Sequence, residues 1–96
     1  TLEVRLNIAM LQYQLRDFTD AMETLQALKN DYPKDYRVYK WLAFVQGEID
    51  LKNGVSYTKS LEYYTTAVEL YRTVQASGMY DPQMDELNRI AANNWQ

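Results

Sequence analysis

Apolar positions along this chain return every three or four residues, and no segment alternates with the two-residue period of a half-buried strand. That rhythm and its breaks predict five helices. The first spans residues 2 to about 15, with Leu2, Ile8, Ala9, Leu11 and Leu15 on near-helical spacing. Arg16-Asp17 is a tight turn, Asp17 being an N-cap and Asp20 sitting at the positive end of the next helix. The second helix, 18 to about 30, puts Phe18, Ala21, Met22, Leu25 and Leu28 on one face. Pro33 ends it by forcing Tyr32 out of helical backbone. Asp35 caps a third helix, 36 to about 52, whose inward stripe is Tyr39, Leu42, Ala43, Val45, Gln46 and Ile49, with Trp41 and Phe44 flanking it.

Asn53-Gly54 supplies a break and a left-handed C-cap. After Ser56 a fourth helix, 57 to about 76, turns Leu61, Tyr64, Ala67, Val68, Tyr71 and Val74 inward. Tyr63 adjoins Tyr64 and points elsewhere on the helix, so it is expected outside. Ser77-Gly78 closes that helix, and Asp81-Pro82 opens a shorter one as N-cap and first helical residue. Met84, Leu87, Ile90 and Ala91 form its apolar face, and the sequence leaves open whether Trp95 packs on it or docks to a partner. The expectation is an all-α domain of five helices, antiparallel neighbours joined by short loops.

The helices also repeat. Ala9, Asp17-Phe18, Ala21, Leu25, Leu28 and Pro33 set a pattern that returns as Tyr39, Leu42-Ala43, then Tyr57, Ser60, Tyr64 and Ala67. Ala9 and Ala43 are 34 residues apart. In this spacing the chain resembles the tetratricopeptide repeat family, whose unit is a 34-residue helix-turn-helix. Small residues at Ala9, Ala21, Ala43, Ser60 and Ala67 let helices approach closely while the large ones fill the gaps. The resemblance implies an α-α superhelix: repeat 1 over about 2–34, repeat 2 over about 35–76, and a capping helix over about 81–93, all in one domain, 1–96. Two departures stand out. Phe18 and Tyr57 are 39 apart, so the second unit holds about five extra residues near Lys52 to Ser56. It also has Arg72 where the terminating proline belongs, so the fourth helix should overrun. The stretches from Asp31 to Ala43 and from Asp81 to Leu87 are further similar to repeat regions C-terminal to bacterial serine/threonine protein kinases, which implies a regulatory or scaffolding role in such a protein.

Composition narrows the chemistry. At 96 residues with 47 % apolar content the chain suits one small domain. It opens at Thr1, and the expectation is a segment of a longer protein. Without cysteine it has no disulfide framework, in keeping with a cytoplasmic setting. No apolar run approaches the roughly 18 residues of a membrane span. A net charge of −3 with singly scattered lysines and arginines lacks the footprint of a nucleic-acid binder.

Catalysis has little to work with. Histidine and cysteine are both missing, which removes most nucleophile–base pairs and transition-metal sites. Gly47, Gly54 and Gly78 are isolated rather than gathered into a phosphate loop, so no cofactor is expected. Asp17/Asp20 and Asp81/Asp85 form conceivable acid–base pairs, but each lies in a first helical turn, where carboxylates cap. Asp81, Asp85 and Glu86 lack the oxygen spacing of a calcium loop.

The resemblance implies instead a concave face lined by the first helix of each pair. Carried over by position, that face is Glu3, Leu6, Met10 and Tyr13, then Arg37, Lys40, Phe44 and Gly47. Apolar side chains beside two cations would take a peptide with an acidic group. Tyr32, Tyr36, Tyr39 and Trp41 are expected to seal the seam between repeats rather than cage a ligand. The first helix has no capping element before it, and Leu2, Val4, Leu6 and Met10 would leave apolar surface there for an upstream repeat or a second copy. Two functions follow: a protein- or peptide-binding scaffold, or a self-associating module.

Overall fold

The computed structural model describes residues 1–94 as five helices and, among these residues, no strand. They are α1 (Leu2–Gln14), α2 (Phe18–Asp31), α3 (Tyr36–Asn53), α4 (Thr58–Gln75) and α5 (Pro82–Asn94). The expected all-α architecture with two helix pairs and a closing helix is what the chain adopts. Trp95 and the side chains of Ile90 and Ala91 lie outside the described residues.

The caps follow the polar punctuation. The carboxylate of Asp17 accepts from the backbone N–H of Asp20 at 3.4 Å, and that of Asp35 from the N–H of Arg37 at 3.0 Å. At the end of α3, Gly54 is left-handed at φ 66°. The N–H groups of Gly54 and Val55 donate to the carbonyls of Leu51 and Asp50, which satisfies the last turn in a Schellman arrangement. The α1–α2 turn uses the same two-bond arrangement, from Arg16 to Tyr13 and from Asp17 to Gln12, but with Arg16 at φ 62° in the glycine position.

Packing proceeds along the chain: α1 on α2, α2 on α3, α3 on α4, with α5 touching both α3 and α4. The five small residues of the repeat pattern, Ala9, Ala21, Ala43, Ser60 and Ala67, are all buried. Leu25, Leu28, Val38, Leu42, Val45 and Leu87 fill the space between them. The five-residue excess of the second unit is helix: α3 has 18 residues where α1 has 13. As the missing proline predicts, α4 overruns, reaching 18 residues against 14 for α2.

Several inward assignments need correcting. On α4 the buried stripe is Ser60, Tyr63, Ala67 and Tyr71, so Tyr63 is inside, while Tyr64 is only half-buried and Leu61 is exposed. The reason is a polar partner at the edge of the core: the side-chain amide of half-buried Gln26 donates to the Tyr63 hydroxyl at 2.8 Å, so the phenol can be buried without an unmet hydrogen bond. On α1, Leu6 and Ala9 face the core, whereas Ile8, Leu11 and Leu15 face solvent. Leu2 and Met10 pack partly against the core, so the exposed apolar edge is Val4, Ile8, Leu11 and Leu15 rather than Leu2, Val4, Leu6 and Met10.

Candidate functional site

The first helix of each pair and α5 share one face, and a cleft of about 340 Å³ opens there. Its aromatic wall begins with Tyr13 on α1. The Tyr13 ring stands 5.6 Å from Trp41 and 6.2 Å from Phe44, and Trp41 stands 5.5 Å from Phe44. These tilted and edge-on contacts suit the ring quadrupoles and hold the three side chains as one surface. Gly47, Glu48 and Leu51 continue the wall one and two turns further along α3. The opposite side is Gln83, Glu86 and Leu87 of α5, with Tyr57 closing one end. Burial pushes the Tyr13 phenol above its ordinary pKa, and the nearby charge of Glu48 adds to that rise against a smaller opposing effect of Arg16.

A buried polar cluster fixes α5 in place. The Lys40 ammonium is 4 % exposed and lies 2.8 Å from Asp81 and 2.7 Å from the side-chain oxygen of Gln83. The Tyr36 hydroxyl donates to the same Asp81 carboxylate at 2.8 Å, and the Asp81 backbone N–H donates to the Tyr71 hydroxyl at 2.8 Å. Asp81 also caps α5, accepting from the Gln83 N–H at 3.0 Å. Burial works to raise the Asp81 pKa, but the hydrogen bonds from Lys40 and Tyr36 and the Lys40 charge outweigh it and hold the carboxyl below its usual range. Burial and the bond to Asp81 push the Tyr36 phenol strongly upward.

Of the eight side chains placed on the concave face by position, the cleft gathers Tyr13, Phe44 and Gly47. Leu6 is buried in the core and Lys40 is buried in the polar cluster, so neither offers itself to a partner. Both sit on the helix flank that meets its neighbours, which position in a repeat does not reveal. Met10 is half-buried against the core. Arg37 is held by Asp35 at 2.9 Å and lies 3.5 Å from exposed Glu3, outside the cleft. Its hydrogen bond to Asp35 outweighs the opposing effect of burial and raises the guanidinium pKa. The anticipated pair of free cations is therefore not there.

Trp41, Ala43, Glu48, Leu51, Tyr57, Gln83, Glu86 and Leu87 also line the cleft and lie outside the face expected from repeat position. One signal was present: Trp41, Phe44, Glu48 and Leu51 recur at three- and four-residue steps, so the face continues past Gly47. The contribution of α5 had no such signal, since the helix reads only as a cap. Tyr36 and Trp41 are buried as expected of seam residues, but Tyr36 packs on Tyr71 at 4.9 Å, between α3 and α4. Among the described residues no group of three or more carboxylates gathers as for a metal ion, and no helix is long and apolar enough to cross a membrane. Asp85 accepts a hydrogen bond from Tyr80 at 2.7 Å on the surface.

Comparison with known families agrees with the first helix pair. Residues 3–35 match the family model described as Tetratricopeptide repeat. No curated protein and no solved structure matches the chain.

Proposed function

The chain carries a repeat of the tetratricopeptide family, and from that premise we propose a non-catalytic scaffold whose cleft between α1, α3 and α5 takes up a segment of a partner protein. The repeat itself marks a protein-interaction scaffold; the cleft is the finer reading. What carries it is the aromatic wall of Tyr13, Trp41 and Phe44 opening into a concave space of about 340 Å³, within the size range of ligand sites. Tyr13, Phe44 and Gly47 are the contact residues retained from the original eight. Asp17 and Asp81, one from each conceivable acid–base pair, are engaged as helix caps, and Asp81 is also the partner of Lys40.

The test is site-directed photocrosslinking. A benzophenone amino acid at Phe44 should trap partner proteins, and one at exposed Glu69 on α4 should not. Filling the cleft with Gly47→Gln should suppress the Phe44 products. Equal yields at both positions, or products at Glu69 alone, would reject the cleft.

The wider context we propose is the regulatory region of a cytoplasmic bacterial serine/threonine kinase, with residues 1–96 acting as one domain. It rests on the sequence resemblance of the Asp31–Ala43 and Asp81–Leu87 stretches to such regions and on nothing in the comparisons. Sequence upstream of Thr1 that encodes no kinase domain would dismiss it.

A second reading is self-association through α1. Val4, Ile8, Leu11 and Leu15 stand between 45 and 78 % exposed, spaced four, three and four residues apart. That is a heptad seam on an outward face. Sedimentation velocity should find dimers that Ile8→Lys dissolves; a strictly monomeric chain at all concentrations would end this reading.

A further inference from the structure

An acidic ligand requires Arg37 and Lys40 to stand free on the binding face. The geometry reverses that sign. Lys40 is buried against Asp81 and Gln83, and Arg37 is bound to Asp35. The ionisable groups that do line the cleft are Glu48 and Glu86, with the phenols of Tyr13 and Tyr57. Glu48 has no ion-pair partner among the described residues. Glu86 pairs with Arg89, a solvent-exposed contact between successive turns that leaves the carboxylate largely free to compete for another cation.

We propose that the cleft is selective for an arginine side chain followed by an apolar residue in the partner segment, a deepening that rests on the scaffold reading of the same cleft. The guanidinium stacks on Tyr13 and Phe44, the partly exposed rings of the aromatic wall, and pairs with Glu48, while the apolar neighbour lies on exposed Leu51. One ring of the wall already takes a positive charge: the Lys40 ammonium sits 5.4 Å from the Trp41 ring centre. That charge is neutralised by Asp81 and does not reach the cleft as a free cation. Two further cations stand nearby: Arg16, which is exposed and lies over Phe18 at 5.1 Å, and exposed Arg89, which pairs with Glu86.

The competing ligands fare worse for stated reasons. A carboxylate in this space would face Glu48 and Glu86 together. A purely apolar side chain would strip water from Glu48 and return no hydrogen bond. Arginine meets both demands, because its planar group stacks and donates at once, which a lysine ammonium does less well. A space of about 340 Å³ holds one such long side chain and a neighbour, so the recognised unit is a short motif rather than a whole helix.

The test uses the 96-residue chain, uniformly nitrogen-15 labelled, titrated with three acetylated, amidated peptides: Ala-Arg-Leu-Ala, Ala-Glu-Leu-Ala and Ala-norleucine-Leu-Ala. The arginine peptide should shift the backbone amides of Gly47 and Glu48 and the Trp41 indole, and the glutamate peptide should not. Glu48→Gln with Glu86→Gln should weaken the arginine peptide by about fivefold, the size of a partly exposed ion pair. Glu48→Asp should restore part of that loss. Raising the salt from about 0.05 M to about 0.5 M should weaken it further. Equal affinity for the norleucine peptide, or a double variant that binds as wild type, would overturn the arginine preference while leaving the scaffold reading to the crosslinking test. Shifts confined to residues outside the cleft would overturn it as well.

Discussion

The two helix pairs are built alike inside and finished differently at their edges. Both bury small residues where helices cross, Ala9 and Ala21 in the first, Ala43, Ser60 and Ala67 in the second. The second pair is then covered by α5 through a polar cluster of Tyr36, Lys40, Tyr71 and Asp81. The first pair ends in the bare stripe of Val4, Ile8, Leu11 and Leu15. Apolar packing alone would let a covering helix slide or rotate. A buried ammonium that must meet one carboxylate and one amide oxygen admits a single placement. The stack is therefore closed directionally at one end and left apolar and unspecified at the other.

The largest effect expected from breaking this asymmetry is at Asp81. Asp81→Asn keeps the shape and the N-cap but removes the charge opposite Lys40. Leaving that buried ammonium unpaired should cost about 3 kcal/mol. Urea unfolding would measure the loss, and amide exchange should show it concentrated in α5 rather than in α1 and α2. Acid should do the same more gradually. The Asp81 carboxyl has a folded pKa below its unfolded value, so its stabilisation is complete above an unfolded value of about 3.9 and fades as the pH falls through the folded one. Asp35, held low by the hydrogen bonds and charge of Arg37 despite burial, loses its share in the same range. Thermal melts below about pH 4 should therefore show a steep loss in wild type and a shallower one in Asp81→Asn.

Ser60 is fully buried, with its hydroxyl 3.2 Å from Asp50 and 3.1 Å from the Tyr57 carbonyl. Asp50 is itself 4 % exposed and has the Gln46 amide as its other side-chain partner at 2.8 Å. Ser60→Ala should cost about 1–2 kcal/mol, since a buried carboxylate oxygen loses a donor. In the first pair the corresponding position is already Ala21, which has no hydroxyl to donate. The longer second pair thus gains its extra turn of α3 together with a polar contact that holds the base of α4.

Much of this was legible in the sequence because it depends on local chemistry. Pro33, Gly54 and the capping aspartates placed the helix ends, and the spacing of Ala9 and Ala43 placed the pairing. What escaped depends on contacts between distant segments. Nothing near Tyr63 in sequence says that Gln26, 37 residues away, will bond its hydroxyl and draw it inside. Likewise Lys40 reads as a surface cation until Asp81 arrives 41 residues later. The cleft was half legible for the same reason. Its α1 and α3 wall follows helical spacing, while the α5 wall depends on where that polar cluster docks the last helix.

A smaller effect is expected at the turn of the first pair. Arg16 occupies the left-handed position that Gly54 occupies after α3. Arg16→Gly should stabilise the chain by roughly 0.5–1 kcal/mol, the strain relieved being partly offset by the lost contact with the Phe18 ring. Arg16→Ala should not reproduce the gain, because alanine keeps the side-chain carbon that causes the strain. A thermal melt of both variants separates backbone conformation from loss of the guanidinium.

The smallest effect on stability should come from the most conspicuous apolar residues. Ile8 and Leu11 lie on the exposed stripe, so each side chain gives up little on becoming polar. For the monomer, Ile8→Lys and Leu11→Lys should each change the unfolding free energy by less than about 0.5 kcal/mol. The contrast with Leu6, two residues from Ile8 but buried, is the control: Leu6→Ala should cost about 2–3 kcal/mol. If Ile8→Lys instead destabilises as strongly as Leu6→Ala, and does so more at high protein concentration, the stripe is covered by a second copy and the apparent openness of the first pair belongs only to the isolated chain. Concentration dependence is the deciding feature, because a residue buried within one chain gives the same melt at every dilution.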